Sequence, residues 1–262
     1  MSHAGQAPVD GLSERAVRNE RMIVLLGLAL VAATGLFATY RLGGILMMPA
    51  AFVGGAVVYP VLLFIMWWAM MMAMMLPSAA PAILVYGAIS RKFAEKGAPA
   101  APPAVFAAGY AAIWTGFAIA AVMLHLMLSQ TIALSMMMTV TSTVVGGGLL
   151  IAAGLYQMSP LKYACLRKCQ TPLMFFARNW QKGHLGAFRM GLSHGLYCLG
   201  CCWVLMGLLF YGGVMELRWI VGLALYVAAE KLIPAGNRLS HFTGILLIGS
   251  GAWTVYRTIT AL

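Results

Sequence analysis

The sequence predicts an all-α, multi-pass membrane protein built as a bundle of about seven transmembrane helices. Of its 262 residues, 62% are hydrophobic and only 9% are charged, whereas an ordinary soluble domain carries about a quarter charged residues. Seven apolar stretches are long enough, or nearly so, to cross the roughly 30 Å hydrocarbon core of a bilayer. The Lys and Arg residues cluster between alternate stretches, which is typical of a protein with a fixed orientation in the membrane.

The predicted spans are each bounded by charged residues, Pro or Gly. About 20 apolar residues are needed to cross a bilayer as a helix, and the fourth and sixth stretches are short by this measure. The apolar, Gly-rich stretch 45–58 is predicted to be a loop or interfacial segment ahead of the second span. In chain order the predicted spans are residues 22–39, 60–88, 104–128, 143–159, 190–211, 217–232 and 242–260.

All but three of the 17 Lys and Arg residues fall on one side of this layout, the exceptions being Arg41, Arg218 and Arg257. The positive-inside rule makes the majority side cytoplasmic, which predicts an inner-membrane protein with its N-terminus inside and its C-terminus outside. Residues 1–20 carry charges and no apolar run, so they are predicted to be a cytoplasmic tail and not a signal peptide. One transmembrane domain follows over 21–262. The net charge of +11 is explained by this orientation, without nucleic acid as a partner.

One stretch near the start of the fifth span carries an imidazole and three thiols within nine residues: His194, Cys198, Cys201 and Cys202. Since side chains advance about 100° per residue on a helix, these four residues share one face, and we call them the His–Cys stripe. Thiolates with an imidazole suit Cu(I) or Zn(II). The stripe therefore predicts a soft-metal site, and the alternative is that the thiols are ordinary small buried side chains.

A second thiol pair follows the fourth span. Cys165 and Cys169 are one helical turn apart, with Arg167 and Lys168 between them, and nearby positive charge favours the thiolate form. The predicted topology puts this pair on the same side of the membrane as the His–Cys stripe. The pair lies in a predicted basic cytoplasmic loop, 161–189, whose mixture of basic and aromatic residues favours contact with anionic lipid headgroups over nucleic acid.

Methionines cluster in the second span. Met70 and Met74 are one helical turn apart, as are Met71 and Met75, so their thioethers line two neighbouring stripes, which we call the Met stripes. Thioethers are soft donors for Cu(I), and the predicted topology puts them, together with a Met run at 136–138, farther out than the thiols. This order predicts a graded inward path for Cu(I). The alternative is adaptable packing against lipid.

Other ionisable residues lie near the ends of predicted spans. His241, at the cytoplasmic end of the seventh span, is predicted to be an additional ligand or an orienting partner of His194. His125, in the third span, is a functional candidate because it is ionisable within a membrane segment, with hydration near the interface as the alternative. Glu230 and Lys231 end the sixth span as neighbours and are interpreted as a solvated pair.

Three motifs occur in a fixed order along the chain. They are Met-Met-x-Met-Met-Leu-Pro-Ser-Ala at 71–79, Tyr-Gln-x₃-Leu-Lys-x₂-Cys-Leu-x₂-Cys at 156–169 and His-Gly-x-Tyr-Cys-x-Gly-Cys-Cys-Trp at 194–203. With these motifs the sequence resembles a bacterial family of predicted metal-binding integral membrane proteins, over about residues 60–260. The resemblance implies that Cys165, Cys169 and the His–Cys stripe form a shared metal-binding core. It implies no reaction and no substrate.

The sequence predicts an inner-membrane protein that binds Cu(I), with Zn(II) as the alternative ion. The protein either transports the ion or delivers it to a membrane partner, and a metal chaperone and a membrane metalloenzyme are the candidate partners. One alternative is a thiol-redox protein that uses Cys198 and Cys201 as a Cys-x-x-Cys dithiol. Another is an assembly subunit with a structural metal. The sequence contains no phosphate-binding loop and no His-Glu-x-x-His motif, and no paired carboxylates lie inside the predicted spans, which favours a non-enzymatic role.

Overall fold

The computed structural model describes residues 7–47, 55–131 and 142–260. These ranges contain helices and short connections but no β-strand, so the predicted all-α class is confirmed there. The helices in chain order are α1 (Ala7–Leu46), α2 (Gly55–Ser78), α3 (Ala80–Ala94), α4 (Pro103–Thr131), α5 (Thr143–Gln157), α6 (Pro160–Gln170), α7 (Pro172–Asn179), α8 (Gly183–Gly207), α9 (Leu209–Gly212), α10 (Leu217–Leu232) and α11 (Gly236–Thr260).

Within the described ranges, four helical stretches are long and apolar enough to cross a membrane, and a fifth results if α5 and α6 form one broken span. These lengths and compositions are those of a membrane protein. The helix α10 has the predicted bounds but only 16 residues, and α1 begins well inside the predicted tail. Of the predicted loop or interfacial segment 45–58, residues 48–54 lie outside the described residues, whereas 45–46 end α1 and 55–58 begin α2. The four stretches are Arg21–Leu46, Val57–Ser78, Pro103–Ser129 and Gly183–Gly212.

The second predicted span is divided into two helices. α2 ends at Ser78 and α3 begins at Ala80, so the predicted span over 60–88 is interrupted at residue 79. Pro77 lies in the last turn of α2, whereas Pro81 lies at the start of α3. A proline is accommodated at that position because the first N–H groups of a helix have no intrahelical partner. The break leaves the Ser78 side chain at a helix end, where it reaches the functional site described below.

The chain also bends by 62° between α5 and α6. Ser159 begins α6, because its side chain accepts a hydrogen bond from the Lys162 backbone N–H at 3.2 Å. The predicted loop 161–189 is therefore folded into α6, α7 and the first turns of α8. Phe175 and Phe176 within it are 2% and 1% exposed. These two aromatic side chains pack inside the protein, so the expectation that they lie against lipid headgroups is wrong.

Glycines allow α4 and α8 to approach closely near the His–Cys stripe. A Cβ atom on Gly109 of α4 would lie 2.2 Å from the carbonyl oxygen of Phe188, and one on Gly191 of α8 would lie 2.1 Å from that of Phe106. Small residues at such crossings let helix backbones approach in membrane proteins. The same kind of close packing joins α5 to α11 through Gly147, Gly154, Gly244 and Gly251.

We expect Gly191→Ala to lower the free energy of unfolding by about 1–3 kcal/mol, because the added methyl group must push α8 away from α4. The measurement is unfolding in detergent, followed by tryptophan fluorescence. Gly116→Ala is the matched control on α4, since a Cβ there meets nothing within 4 Å. Equal losses of stability in the two variants would contradict the close-packing argument.

Candidate metal centre

The His–Cys stripe lies inside the bundle, on the middle turns of α8. His194, Cys198, Cys201 and Cys202 are each no more than 3% exposed. All five cysteines of the chain are free thiols. Since α8 packs against both α4 and α6, the stripe faces side chains from several helices and not lipid.

The Cys198 thiol is the centre of a hydrogen-bonded group drawn from four helices. The Tyr110 hydroxyl of α4 lies 2.9 Å from Cys198 Sγ and 3.0 Å from the carbonyl oxygen of Met75 on α2. The Lys231 ammonium group of α10 donates to Cys198 Sγ at 3.0 Å and to the Ser78 hydroxyl at 2.8 Å. Lys231 is only 7% exposed. A buried ammonium group beside a sulfur atom complements the negative charge of a thiolate, the form of cysteine that binds metals.

The helix α6 brings the second thiol pair against this group. Cys169 is buried and lines the same cavity as Cys198. One turn earlier, Cys165 is partly buried and packs on Gly200 of α8, where a Cβ atom would lie 2.8 Å from Cys165 Sγ. The glycine therefore makes room for the sulfur atom. The thiols of α6 and α8 form one cluster across the interface of the two helices.

The His194 imidazole packs among aromatic rings one turn before Cys198. Its ring centroid lies 5.8 Å from that of Phe106, 6.1 Å from that of Tyr110 and 5.3 Å from that of Phe175. The buried Nδ1 atom finds no hydrogen-bond partner among the described residues. Buried polar atoms in proteins are normally paired. This imidazole is therefore available to a ligand that enters the site.

A cavity of about 210 Å³ lies beside the thiols and the imidazole. Within the described ranges, no carboxylate contributes to its wall. Mg²⁺ and Ca²⁺ require oxygen ligands, whereas sulfur and imidazole donors suit softer ions. The wall includes Ser78, Tyr110, Cys169, His194, Cys198 and Lys231.

Across the residues that the structure describes, no three His, Cys, Asp or Glu side chains are already arranged to hold a metal ion. The thiols of α8 are engaged in other hydrogen bonds. Cys201 and Cys202 donate to the carbonyl oxygen of Cys198 at 3.0 and 2.9 Å, while Cys198 Sγ is held by Tyr110 and Lys231. Binding of an ion requires the thiols to exchange these hydrogen bonds for metal bonds by rotation of their side chains.

The Met stripes lie inside the protein, so packing against lipid does not describe them. The four residues are each no more than 2% exposed: Met70, Met71, Met74 and Met75. The carbonyl oxygen of Met75 is bonded by Tyr110, whose hydroxyl also contacts Cys198. The stripes therefore end close to the thiol cluster. The Met run at 136–138, predicted to extend the path outward, lies outside the described residues.

Two histidines that the sequence singles out lie elsewhere. His241 is exposed, and its Nδ1 atom lies 2.8 Å from the carbonyl oxygen of Asn237 on the same helix, α11. This helix packs mainly on α5 and not on α8, so the structure does not bring His241 to His194. His125 is only 1% exposed and its ring packs against that of Phe210 at 6.1 Å. The alternative of a hydrated His125 is therefore wrong.

Sequence reasoning misses Tyr110, Ser78 and Lys231 as members of the site. The interpretation of Glu230 and Lys231 as a solvated pair is wrong, because the two residues are 1% and 7% exposed and contact different partners. Neighbouring side chains on a helix point about 100° apart. The sequence signal that could have identified Lys231 was a pair of charges at the end of an apolar stretch, since charges within membrane spans are functional candidates by default.

A family model described as PpoB2, copper chaperone, matches residues 64–254 of the chain. The matched segment contains all five cysteines, the Met stripes and His194, together with Tyr110 and Lys231. No curated protein and no solved structure matches the chain. The family match therefore covers the whole thiol cluster and the side chains that contact it.

We expect Cys198→Ala to lower the free energy of unfolding by about 3–5 kcal/mol, because the buried Lys231 ammonium group loses its sulfur partner. The double variant Cys198→Ala/Lys231→Met should recover most of this loss, since no unpaired charge is left in the interior. Unfolding in detergent without added metal is the measurement. Cys165→Ala, which removes a thiol not bonded to Lys231, serves as the control. Additive losses in the double variant would contradict the pairing of Lys231 with Cys198.

Proposed function

The chain belongs to the copper chaperone family whose model matches residues 64–254, and from this premise we propose that it is a membrane-embedded Cu(I) chaperone. The ion binds beside Cys198, between the thiols of α6 and α8, and is then passed to a partner. One observation carries the proposal: Cys169 of α6 and Cys198 of α8 are both buried and line the same cavity. Two helices that contribute thiols to one cavity supply more donors than either helix alone.

The donor set supports Cu(I) as the cargo. Thiolates and thioethers are soft ligands that select Cu(I). Zn(II), the alternative ion, is bound by four sulfur or nitrogen ligands in a tetrahedron, and the thiol cluster with His194 has enough donors for it. The buried Met stripes favour copper, because thioethers are not among the usual zinc ligands.

The proposed topology has seven spans in the inner membrane, with the N-terminus inside and α10 and α11 as the last two spans. The distribution of Lys and Arg along the sequence supports this orientation. Lys231, near the end of α10, and Cys169, near the end of α6, then lie toward the cytoplasmic face. The Met stripes lie farther out on α2. Cu(I) entering from outside meets thioethers first and thiols second, so the path leads inward.

The partner that we propose is a metal chaperone or a membrane metalloenzyme that receives the ion. Arg167, Lys168 and Arg178 line a surface pocket of about 400 Å³ near α6 and α7. A basic surface beside the thiol pair suits an acidic partner or anionic lipid headgroups. Membrane lipid surrounds the rest of the bundle, because many large apolar side chains on α1 are exposed, for example Leu26, Leu30 and Phe37.

A thiol-redox role is the second candidate function. Cys198 and Cys201 form a Cys-x-x-Cys pair one helical turn apart, and the Cys201 thiol donates to the Cys198 carbonyl oxygen at 3.0 Å. Such a dithiol can cycle to a disulfide and relay electrons. A third role, as an assembly subunit with a structural metal, differs from the first only in whether the ion leaves the protein.

We expect the detergent-purified protein to bind Cu(I), and the variants Cys198→Ser and Cys201→Ser to lose it. His194→Ala should also weaken binding, by more than the roughly 10–100-fold typical of outer-shell substitutions, if the imidazole is a ligand. The measurements are metal content by mass spectrometry and Cu(I) affinity by competition with a chromophoric chelator. His184→Ala is the control for the imidazole, because His184 is exposed on the same helix.

The redox role gives a different pattern in the same experiment. The wild-type protein then contains almost no copper and shows a Cys198–Cys201 disulfide by mass spectrometry, while His194→Ala retains activity. This outcome would replace the copper proposal by the redox one. A tightly held metal that no acceptor removes would instead favour the structural role.

Replacement of Met70, Met71, Met74 and Met75 by Leu tests the Met stripes. Leu and Met have similar volumes, so we expect each substitution to cost less than about 1.5 kcal/mol of stability. Copper transfer into cells or vesicles should fall, whereas Cu(I) affinity at the thiol cluster should stay near that of the wild type. Met123→Leu, at an exposed position on α4, is the control. Unchanged copper transfer in the fourfold variant would show that the Met stripes serve only in packing.

A further inference from the structure

A second buried polar cluster lies beside the thiol site, around the carboxylate of Glu230 on α10. Lys162 Nζ of α6 lies 2.7 Å from Oε1 and 2.8 Å from Oε2 of this carboxylate. Oε1 also accepts hydrogen bonds from Tyr226 at 2.5 Å, from Ser240 of α11 at 2.7 Å and from Gln157 of α5 at 3.2 Å. The Gln157 side chain in addition accepts a hydrogen bond from Lys162.

This cluster is almost completely sealed from solvent. Lys162 and Glu230 are each 1% exposed, Gln157 is 2% exposed and Ser240 is 3% exposed. A buried ion pair gives little net stability compared with apolar packing, because both charges must leave water. In some proteins such a pair instead fixes one arrangement of the elements that it joins. The arrangement that it fixes here is that of α5, α6, α10 and α11.

Glu230 is bonded to both ends of α6. Its side chain pairs with Lys162 in the first turn, and its carbonyl oxygen accepts a hydrogen bond from Gln170 Nε2 at the last residue, at 2.8 Å. Cys165 and Cys169 lie between these two points. Glu230 therefore contacts α6 on both sides of the second thiol pair, before Cys165 and after Cys169.

The residue after Glu230 connects this part of α10 to α8. The Lys231 side chain points about 100° away from that of Glu230 around α10, and it donates to Cys198 Sγ. The dipeptide of Glu230 and Lys231 thus contacts α6 on one side and the His–Cys stripe on the other. This short stretch of α10 backbone therefore links α6 to the Cys198 thiol.

We propose that Glu230 is a positioning residue of the copper site: through Lys162 and Gln170 it docks α6 on α8, so that Cys169 joins Cys198 and Cys201 around one ion. This inference rests on the proposed function for its copper part. With α6 docked, both helices supply sulfur ligands. Without the Glu230 contacts, α8 alone holds the ion, with fewer sulfur ligands and a lower affinity.

The test compares four variants of the full-length protein: Glu230→Gln, Lys162→Met, the double variant that combines these two, and Gln170→Leu. Gln170→Leu leaves the ion pair intact, so it is expected to fold even if a single charge removal is not tolerated. The double variant removes both buried charges and should regain stability that either single variant loses. Glu216→Gln is the matched control, because it removes the carboxylate of an exposed ion pair with Arg218, at the start of the same helix.

The first measurement needs no copper. A bifunctional reagent that becomes fluorescent when it links two neighbouring thiols is added to the metal-free protein, and the bridged peptides are identified by mass spectrometry. We expect the Cys169–Cys198 bridge in the wild type and in Glu216→Gln. We expect its loss in the double variant, even where unfolding shows that stability is regained, and a reduced yield in Gln170→Leu.

The second measurement is Cu(I) affinity by chelator competition, with the number of Cu–S bonds from X-ray absorption. We expect about 10–100-fold weaker binding in the double variant, and one fewer sulfur ligand. The proposal would be overturned if the double variant and Gln170→Leu both gave the Cys169–Cys198 bridge in the same yield as the wild type. It would also be overturned if bridging were lost while the Cu(I) affinity and the number of Cu–S bonds stayed unchanged. A wild type that binds no copper would overturn the proposed function instead, while the bridging result still decides whether Glu230 docks α6.

Discussion

The hydrogen bond from the Lys231 ammonium group to Cys198 Sγ, 3.0 Å long, is the interaction on which the site depends. A charge in an apolar helix bundle must find its partners within the protein, because lipid supplies none. Lys231 meets this requirement with a sulfur atom on α8 and the Ser78 hydroxyl at the end of α2. The break between α2 and α3 matters for this reason, since it leaves Ser78 at the end of a helix. Lys231 therefore joins α2, α8 and α10 beside the sulfur atom that the proposed function requires.

Close helix packing makes the rest of the site possible. The α4 and α8 backbones approach through Gly109 and Gly191, and this approach brings the Tyr110 hydroxyl to Cys198. On the opposite side, Gly200 leaves room for the Cys165 sulfur atom of α6. A larger side chain at any of these glycines would separate donors that lie on different helices. The glycines of α8 thus determine which side chains reach the His–Cys stripe.

The sequence predicts the parts of this structure that depend on local patterns. It gives the helical class, the bounds of α10, and the grouping of the His–Cys stripe on one face, since each follows from composition or helical periodicity. It does not give the partners of Lys231 or Glu230, because those lie on helices distant in sequence. It also places His241 near His194, although α11 packs on α5. The direction of a charged side chain depends on which neighbour can pair with it, and that is decided by tertiary packing.

Binding of an ion at the proposed site would exchange one set of bonds for another. In the structure Cys201 and Cys202 donate to the Cys198 carbonyl oxygen, and Cys198 contacts Tyr110 and Lys231. The hydrogen bonds between neutral groups each contribute about 0.5–1.5 kcal/mol net, and the bond from the Lys231 ammonium group about 1.5–3 kcal/mol, whereas structural zinc sites in small peptides bind with about 10–16 kcal/mol. Even a much weaker site for a transferable ion can therefore displace these bonds. When the ion leaves, the same hydrogen bonds satisfy the buried thiols again, which lowers the cost of release and suits a protein that passes its ion on.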